Sequence, residues 1–117
     1  MISKEKSYNH IKELIYKYEI TKNIKNASIN HIELDTYYQI GKELKEAGKN
    51  HGEKVLIEYA EKLENEFNKK YSRSSLIRYR QFYDIIQNGA TVSHLLTWSH
   101  YYCLLGYNDH FVAGVNK

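Results

Sequence analysis

Apolar residues recur at steps of three and four through most of this chain, which is the spacing of one face of an α-helix. The pattern predicts helices over about residues 3–20, 31–47, 52–68 and 73–87, followed by a short fifth helix that begins at Trp98. Proline, which interrupts helices, is absent, whereas tyrosine occurs 12 times. The sequence therefore predicts a compact all-α domain of about five helices with an amphipathic interior.

Length and cysteine content limit what such a fold can do. The 117 residues are enough for about one domain with one hydrophobic core. A single cysteine cannot form an internal disulfide, and the chain has neither a secretory leader nor an apolar stretch long enough to cross a bilayer. We therefore expect a cytoplasmic protein that does not interact with membranes.

The third and fourth predicted helices are joined by a few polar residues, which is the spacing of a helix-turn-helix motif. In that motif the second helix presents its solvent face to the major groove of DNA. Ser72 is suited to cap the N-terminus of the fourth helix, because its hydroxyl can accept a hydrogen bond from a free backbone N–H. The sequence therefore predicts helix four as the recognition helix.

A small β-hairpin is an alternative for the end of this region. Asn88 and Gly89 favour a tight turn, which would join two short strands at 84–87 and 90–93. The apolar spacing that includes Ile86 instead continues the helix. We consider the helix the better interpretation.

Positive charge is concentrated around helix four. All three arginines of the chain lie there, two lysines precede it, and no acidic residue occurs from Phe67 to Tyr83. A projection at 100° per residue places Ser74, Arg78 and Gln81 on the outer face. Arginine can pair with guanine, glutamine with adenine, and serine with phosphate. The residues predicted to bind nucleic acid are Lys69, Lys70, Arg73, Ser74, Arg78 and Gln81.

An ordinary solvated helix face would also carry charged residues, so the cluster alone leaves a purely structural interpretation open. Arg80 lies closer to the buried side of the projection than the other two arginines. We expect it to extend along its aliphatic stem to an acid or a carbonyl group, which is a structural role.

Four separated blocks of the sequence resemble the N-terminal domain of the bacterial YhcG-type family. These blocks are "YYQIGKEL" (37–44), "GEKVLIEYAEKLENEF" (52–67), "YSRSSLIRYRQFY" (71–83) and "LTWSHYYCLL" (96–105). The resemblance implies a winged helix-turn-helix that precedes a nuclease-like domain of the PD-(D/E)xK type in full-length members. It stops after Leu105, so we expect a family domain over residues 1–105 and a divergent tail over 106–117 of a truncated chain.

The sequence does not favour metal-dependent nuclease chemistry within these residues. Asp35, Glu43 and Lys45 imitate the acid and lysine pattern of such nucleases. They lie on a predicted helix, however, where residues two apart diverge by about 200°, whereas those enzymes place the ligands on neighbouring strands. The six histidines are scattered without a zinc-ligand spacing. We expect no catalytic residues, no cofactor and no metal in this chain, and therefore no enzyme.

The stretch "LTWSHYYCLL" contains several reactive side chains in one short run. Helical spacing groups Trp98, Tyr101, Tyr102 and Leu105 on one face, which predicts a helix that packs against the bundle. An imidazole and a thiol one turn apart, His100 and Cys103, could suggest nucleophilic catalysis, but the sequence offers no orienting third group. The stretch is therefore predicted to be core, with a buried and inert cysteine.

Two classes of function are left open by these patterns. The first is a nucleic-acid-binding module, with duplex DNA as the favoured partner, that directs an associated nuclease domain absent from this chain. The second is a protein-interaction or dimerisation module on a helix-turn-helix scaffold, to which exposed tyrosines such as Tyr16 would contribute. Neither class requires a small-molecule substrate.

Overall fold

The apolar stripes fold into five α-helices, as the spacing predicts. The computed structural model describes residues 3–22, 29–67, 71–93 and 96–115, with side chains through Gly106 in the last range. The helices are α1 (Lys4–Lys22), α2 (Ile29–His51), α3 (Lys54–Glu66), α4 (Arg73–Gln87) and α5 (Trp98–Val115). The Cα radius of gyration is 14.3 Å, close to the ~13 Å expected for a compact domain of about 100 residues. The predicted all-α, compact fold is confirmed.

α2 is the central helix, and it packs most extensively against α4 and α1. The two backbones of α2 and α4 approach closely because Gly41 has no side chain: a Cβ atom there would overlap the backbone carbonyl group of Tyr79 and lie 2.9 Å from Cβ of Tyr83. Next to this crossing, the rings of Tyr37 and Tyr79 stack with centroids 4.3 Å apart. The glycine therefore fixes how deeply α4 sits against α2.

Tyrosines fill much of the core, and several of their hydroxyl groups are paired with carboxylates at its edge. Tyr18 and Tyr37 both donate to Glu33 Oε2, over 2.8 Å and 3.2 Å. Tyr71 donates to Glu19 Oε1 over 2.8 Å. Burial is the main cause that raises the pKa of all three tyrosines above the ordinary range. The amphipathic interior predicted from the tyrosine content is therefore a set of buried rings, and the hydroxyl groups of Tyr18, Tyr37 and Tyr71 are paired at its edge.

The link between α3 and α4 brings the chain back into the core before α4 begins. Tyr71 is buried, and its ring contacts Phe67 at the end of α3 with centroids 5.8 Å apart. Ser72 then caps α4, since its hydroxyl accepts from the backbone N–H of Ser75 over 3.3 Å. The predicted cap and the predicted bounds of this helix are both confirmed.

The hairpin alternative at the end of α4 is not formed. Residues 84–87 are the last turn of α4, and no strand occurs among the described residues of the chain. Gly89 has a φ of 105°, which allows the chain to leave the helix in the left-handed region after Asn88. The Asn-Gly signal therefore marks a helix C-terminus, so this wing hairpin is absent.

The fifth helix is longer than predicted. It begins at Trp98, as expected, but continues to Val115 and so includes most of the residues assigned to a divergent tail. Thr97 caps it: its Oγ1 accepts from the N–H of His100, and its own N–H donates to His100 Nδ1 over 3.1 Å. None of the helices within the described ranges combines the length and the apolar character that a bilayer crossing requires.

Candidate nucleic-acid interface

The N-terminal end of α4 is the most exposed part of the predicted interface. Arg73 and Ser74, in its first turn, are both exposed, and Ser72 caps the helix beneath them. Backbone N–H groups at the start of a helix favour anions, and an arginine beside them adds a full positive charge. Lys69 and Lys70, the other two residues predicted for this end, lie outside the described residues. Arg73 and Ser74 are therefore the predicted residues that the structure leaves open to solvent.

Arg78 and Gln81 are placed differently from the projection, which put them on an open outer face. Both are half-buried. Arg78 Nη1 donates to Gln81 Oε1 over 2.9 Å, and its guanidinium lies over the ring of Tyr102 in α5, 5.3 Å from the centroid. The projection considered α4 alone, whereas α5 crosses this part of α4 and covers it in part. The predicted residues thus form an exposed end and a partly covered middle.

Arg80 has the structural role that the sequence predicts. Its Nη1 contacts Glu53 Oε2 at 2.6 Å, and its side chain retains 22% of its exposure. Glu53 precedes α3, so the ion pair joins the start of α3 to α4. Gly48 allows the close approach, because a Cβ atom there would lie 3.1 Å from Glu53 Oε2. One of the three arginines is therefore paired with an acid, Glu53, that lies outside the segment from Phe67 to Tyr83.

Lys22 is a basic residue near this end of the molecule that the sequence reasoning missed. It forms an ion pair with Glu19 at 2.9 Å, and Glu19 also accepts the hydroxyl of Tyr71, two residues before Arg73. The last turn of α1 therefore lies beside the start of α4. The only sequence signal was a lysine in the final turn of a helix, which commonly serves the helix dipole alone.

The stretch "LTWSHYYCLL" divides into a packed side and an exposed side. Tyr101 and Leu105 are buried, as predicted for core, and Trp98 is partly buried against Phe82, with ring centroids 5.4 Å apart. Cys103 is exposed, so the prediction of a buried cysteine is wrong. Cys103 lies about 200° around the helix from Tyr101 and from Leu105, the two residues that pack against the bundle. It therefore faces away from the bundle, although the residues next to it in sequence are apolar.

His100 is not paired with Cys103 for catalysis in the arrangement seen here. Its Nδ1 is engaged with Thr97 at the helix N-terminus, and the imidazole is exposed. These hydrogen bonds with Thr97 fix the start of α5. The imidazole serves as a cap.

Asp35, Glu43 and Lys45, which imitate a nuclease pattern, all lie on α2 as predicted. Glu43 Oε1 contacts His10 Nδ1 at 3.1 Å, whereas Lys45 Nζ pairs with Asp84 Oδ1 at 3.0 Å. The two side chains thus extend toward α1 and α4 respectively. The structure does not bring the three residues together.

Comparison with known families identifies a match over most of the chain. The family model described as the DUF1016 N-terminal domain matches residues 10–113. The match agrees with the YhcG-type resemblance at the level of the family. It extends beyond Leu105 to residue 113, within α5. Comparisons with curated proteins and with solved structures gave no match. With nearly the whole chain covered, the protein belongs to the DUF1016 N-terminal domain family.

Proposed function

We propose that this domain binds nucleic acid, with duplex DNA as the favoured target, through α4 and the segment before it. The observation that carries the proposal is the exposed Arg73 and Ser74 at the N-terminus of α4, within a segment from Phe67 to Tyr83 that contains no acidic residue. Phosphate groups are attracted both by such arginines and by helix N-termini. α3 and α4 would act as the two helices of a helix-turn-helix.

The geometry favours entry by the end of α4 over insertion of its full length. Arg78 and Gln81 are partly covered by α5, whereas Arg73 and Ser74 are open. A helix that approaches DNA by its N-terminus places its first turn against phosphates and base edges, as recognition helices do. Lys69 and Lys70 would add phosphate contacts from the segment before the cap. The wing is not part of this proposal.

In this proposal the domain is a targeting module without catalytic activity of its own. We expect a nuclease-like domain to follow it in full-length members, as the resemblance to the YhcG-type family implies, and DNA bound here would be delivered to that domain. The domain itself would require no metal ion and no cofactor. The cellular location expected for such a role is the cytoplasm.

A titration of labelled duplex DNA at several salt concentrations tests the proposal. Binding to phosphates releases counterions, so log affinity should fall linearly with log salt. Arg73→Ala should weaken binding and reduce the slope by about one unit. Lys54→Ala is a matched control: Lys54 is exposed, and it lies at the opposite end of α3 from the start of α4. Equal binding by wild type and Arg73→Ala would contradict the proposal.

The second candidate function is protein interaction or self-association. It is favoured by two exposed apolar residues of α1, Tyr16 and Ile20, which retain 48% and 64% of their exposure. They line an open groove between α1 and α2. Light scattering of the purified chain measures its self-association and so separates the two candidates. Self-association through this groove should respond little to salt, and it should be lost in Ile20→Glu.

A further inference from the structure

The guanidinium group of Arg78 is held by contacts from two helices. On α4, Gln81 Oε1 accepts from Arg78 Nη1 over 2.9 Å. On α5, the ring of Tyr102 lies 5.3 Å from the guanidinium carbon, within the range of a cation–π contact. Gly106 completes the arrangement, since a Cβ atom there would lie only 3.2 Å from Arg78 Nη2. Arg78 is therefore pre-positioned before any ligand arrives.

The chemistry of this pair fixes which atom of Gln81 faces the arginine. A guanidinium group only donates hydrogen bonds, so the neighbouring atom of the Gln81 carboxamide must be its oxygen. The amide nitrogen, which carries two donors, is the other end of the group. The Arg78 and Gln81 side chains thus combine into one positively charged unit whose capacity for an outside partner is that of a donor.

Such a unit is poorly suited to the adenine contact that glutamine often makes. That contact requires the carboxamide oxygen to accept from adenine N6 while the nitrogen donates to N7. Here the oxygen already faces a cation, and a second donor would have to approach beside that positive charge. An anionic oxygen has the opposite preference, because it can accept from both side chains and gains from the charge.

We propose that Arg78 and Gln81 bind a phosphate oxygen of the nucleic-acid backbone, and that Tyr102 of α5 is the positioning residue that holds Arg78 for this contact. This inference rests on the proposed function, and it specifies that these two residues recognise the nucleic-acid backbone and not a base. Ser74 lies one turn before Arg78 on the same face of α4 and is exposed, so it extends the line of donors toward the N-terminus.

The first test compares duplexes of equal length and shape class that differ in the number of adenines. A backbone contact predicts affinities within about threefold of one another, whereas a base contact changes affinity by roughly fivefold or more for each altered pair. Gln81→Lys replaces the amide by a positive charge, so it should change binding to every duplex by the same factor. Gln81→Glu keeps an acceptor toward Arg78 but replaces the amide donor by a negative charge, so it should weaken binding to every duplex alike.

The second test addresses Tyr102. Tyr102→Phe keeps the ring and should bind as the wild type does. Tyr102→Leu removes the ring and should reduce the salt slope of DNA binding by about one unit, as the loss of one phosphate contact would. The thermal unfolding midpoint of each variant shows that it is folded. A slope that is unchanged in folded Tyr102→Leu overturns the positioning role.

These outcomes separate the inference from the function on which it rests. Salt-dependent DNA binding with a preference for adenine that Gln81→Lys abolishes would overturn the inference and leave the proposed function standing. Absence of salt-dependent binding to any duplex would overturn both. Equal affinities for all duplexes, with weakening in Gln81→Glu and rescue in Tyr102→Phe, support the inference. Even where Tyr102→Leu fails to fold, the Gln81 variants decide whether this part of α4 contacts the backbone or a base.

Discussion

Gly41 of α2 lies directly against the backbone carbonyl group of Tyr79 in α4, where no residue with a side chain would fit. The obstruction is backbone on one side and Cβ of Tyr83, 2.9 Å away, on the other. Neither can move aside as a flexible side chain could. The close packing of the two central helices therefore depends on one missing methyl group.

Gly41→Ala is accordingly expected to lower the free energy of unfolding by about 1 to 3 kcal/mol, because overpacking forces the two helices apart. Gly48→Ala in the same helix is the matched control. There the nearest atom is the end of the Glu53 side chain at 3.1 Å, and that side chain is 73% exposed and can move. The control should be neutral or gain up to about 1 kcal/mol from helix propensity. Urea denaturation measures both, and equal effects would contradict the explanation.

Trp98 joins α5 to the two central helices. Its ring contacts Tyr37 and Tyr79, with centroids 4.8 Å and 5.3 Å away. Trp98→Ala should cost about 3 kcal/mol or more, since it leaves a cavity between three helices. Trp98→Phe refills part of the volume and should cost less. Because the chain has one tryptophan, unfolding is followed by circular dichroism. A loss below about 1 kcal/mol in Trp98→Ala would show that α5 is weakly anchored.

Stability should fall at alkaline pH because buried tyrosines resist ionisation. Burial, with a smaller contribution from Glu66, raises the pKa of Tyr8 from 10.0 to about 12. The unfolded chain releases this proton first, so the contribution to stability is complete below pH 10 and is lost as the pH rises from 10 to about 12. Each such tyrosine should lower the free energy of unfolding by about 1.4 kcal/mol per pH unit in that window.

Urea midpoints between pH 8 and pH 11, together with tyrosinate absorbance, test this expectation. The buried tyrosines should leave the midpoint unchanged up to about pH 10 and lower it at higher pH. Tyr8→Phe should have a shallower decline than the wild type, because it removes one of the contributing groups. A midpoint that stays constant to pH 11 would be incompatible with the buried tyrosines described here.

The exposure of Cys103 predicts a thiol that reacts in the folded protein. A thiol reagent such as dithionitrobenzoate should modify it completely in the absence of denaturant. Cys103→Ser should change the free energy of unfolding by less than about 0.5 kcal/mol and leave DNA binding intact. Modification that requires unfolding would place the thiol in the core after all.

Plasmid DNA incubated with the purified chain and Mg²⁺ or Mn²⁺ should stay intact. The reason is that Glu43 and Lys45 are engaged with different helices, through His10 and Asp84. Glu43→Ala is the control for contamination. Nicking that persists in Glu43→Ala would come from another enzyme, whereas nicking that disappears with it would prove this expectation wrong.

The sequence predicted those features that depend on a single helix. The bounds of α4 and the Ser72 cap follow from periodicity and side-chain chemistry, and both are confirmed. Gly89 was ambiguous, because an Asn-Gly pair suits both a hairpin and a helix end. Periodicity through Ile86 favoured the helix, and the structure agrees.

Features that depend on how α5 meets the other helices do not follow from the sequence. The projection of α4 could not show that Tyr102 covers Arg78, since that contact needs the path of α5 across α4. The exposure of Cys103 was missed for a related reason: the stretch around it is apolar as a whole, but only one side of α5 meets the bundle. The observed α5 is longer than the predicted one because the resemblance to the family stops at Leu105, whereas the helix continues to Val115.

The crossing at Gly41 also governs the order in which the chain can acquire its structure during synthesis. α1 and α2 are neighbours in sequence and can pair as soon as both have left the ribosome. The surface of α2 around Tyr37 and Gly41, however, has its partner in α4, which is made only after α3. Until then this side of α2 lacks its partner in α4, and a chaperone that recognises exposed aromatic side chains would bind there at that stage of translation.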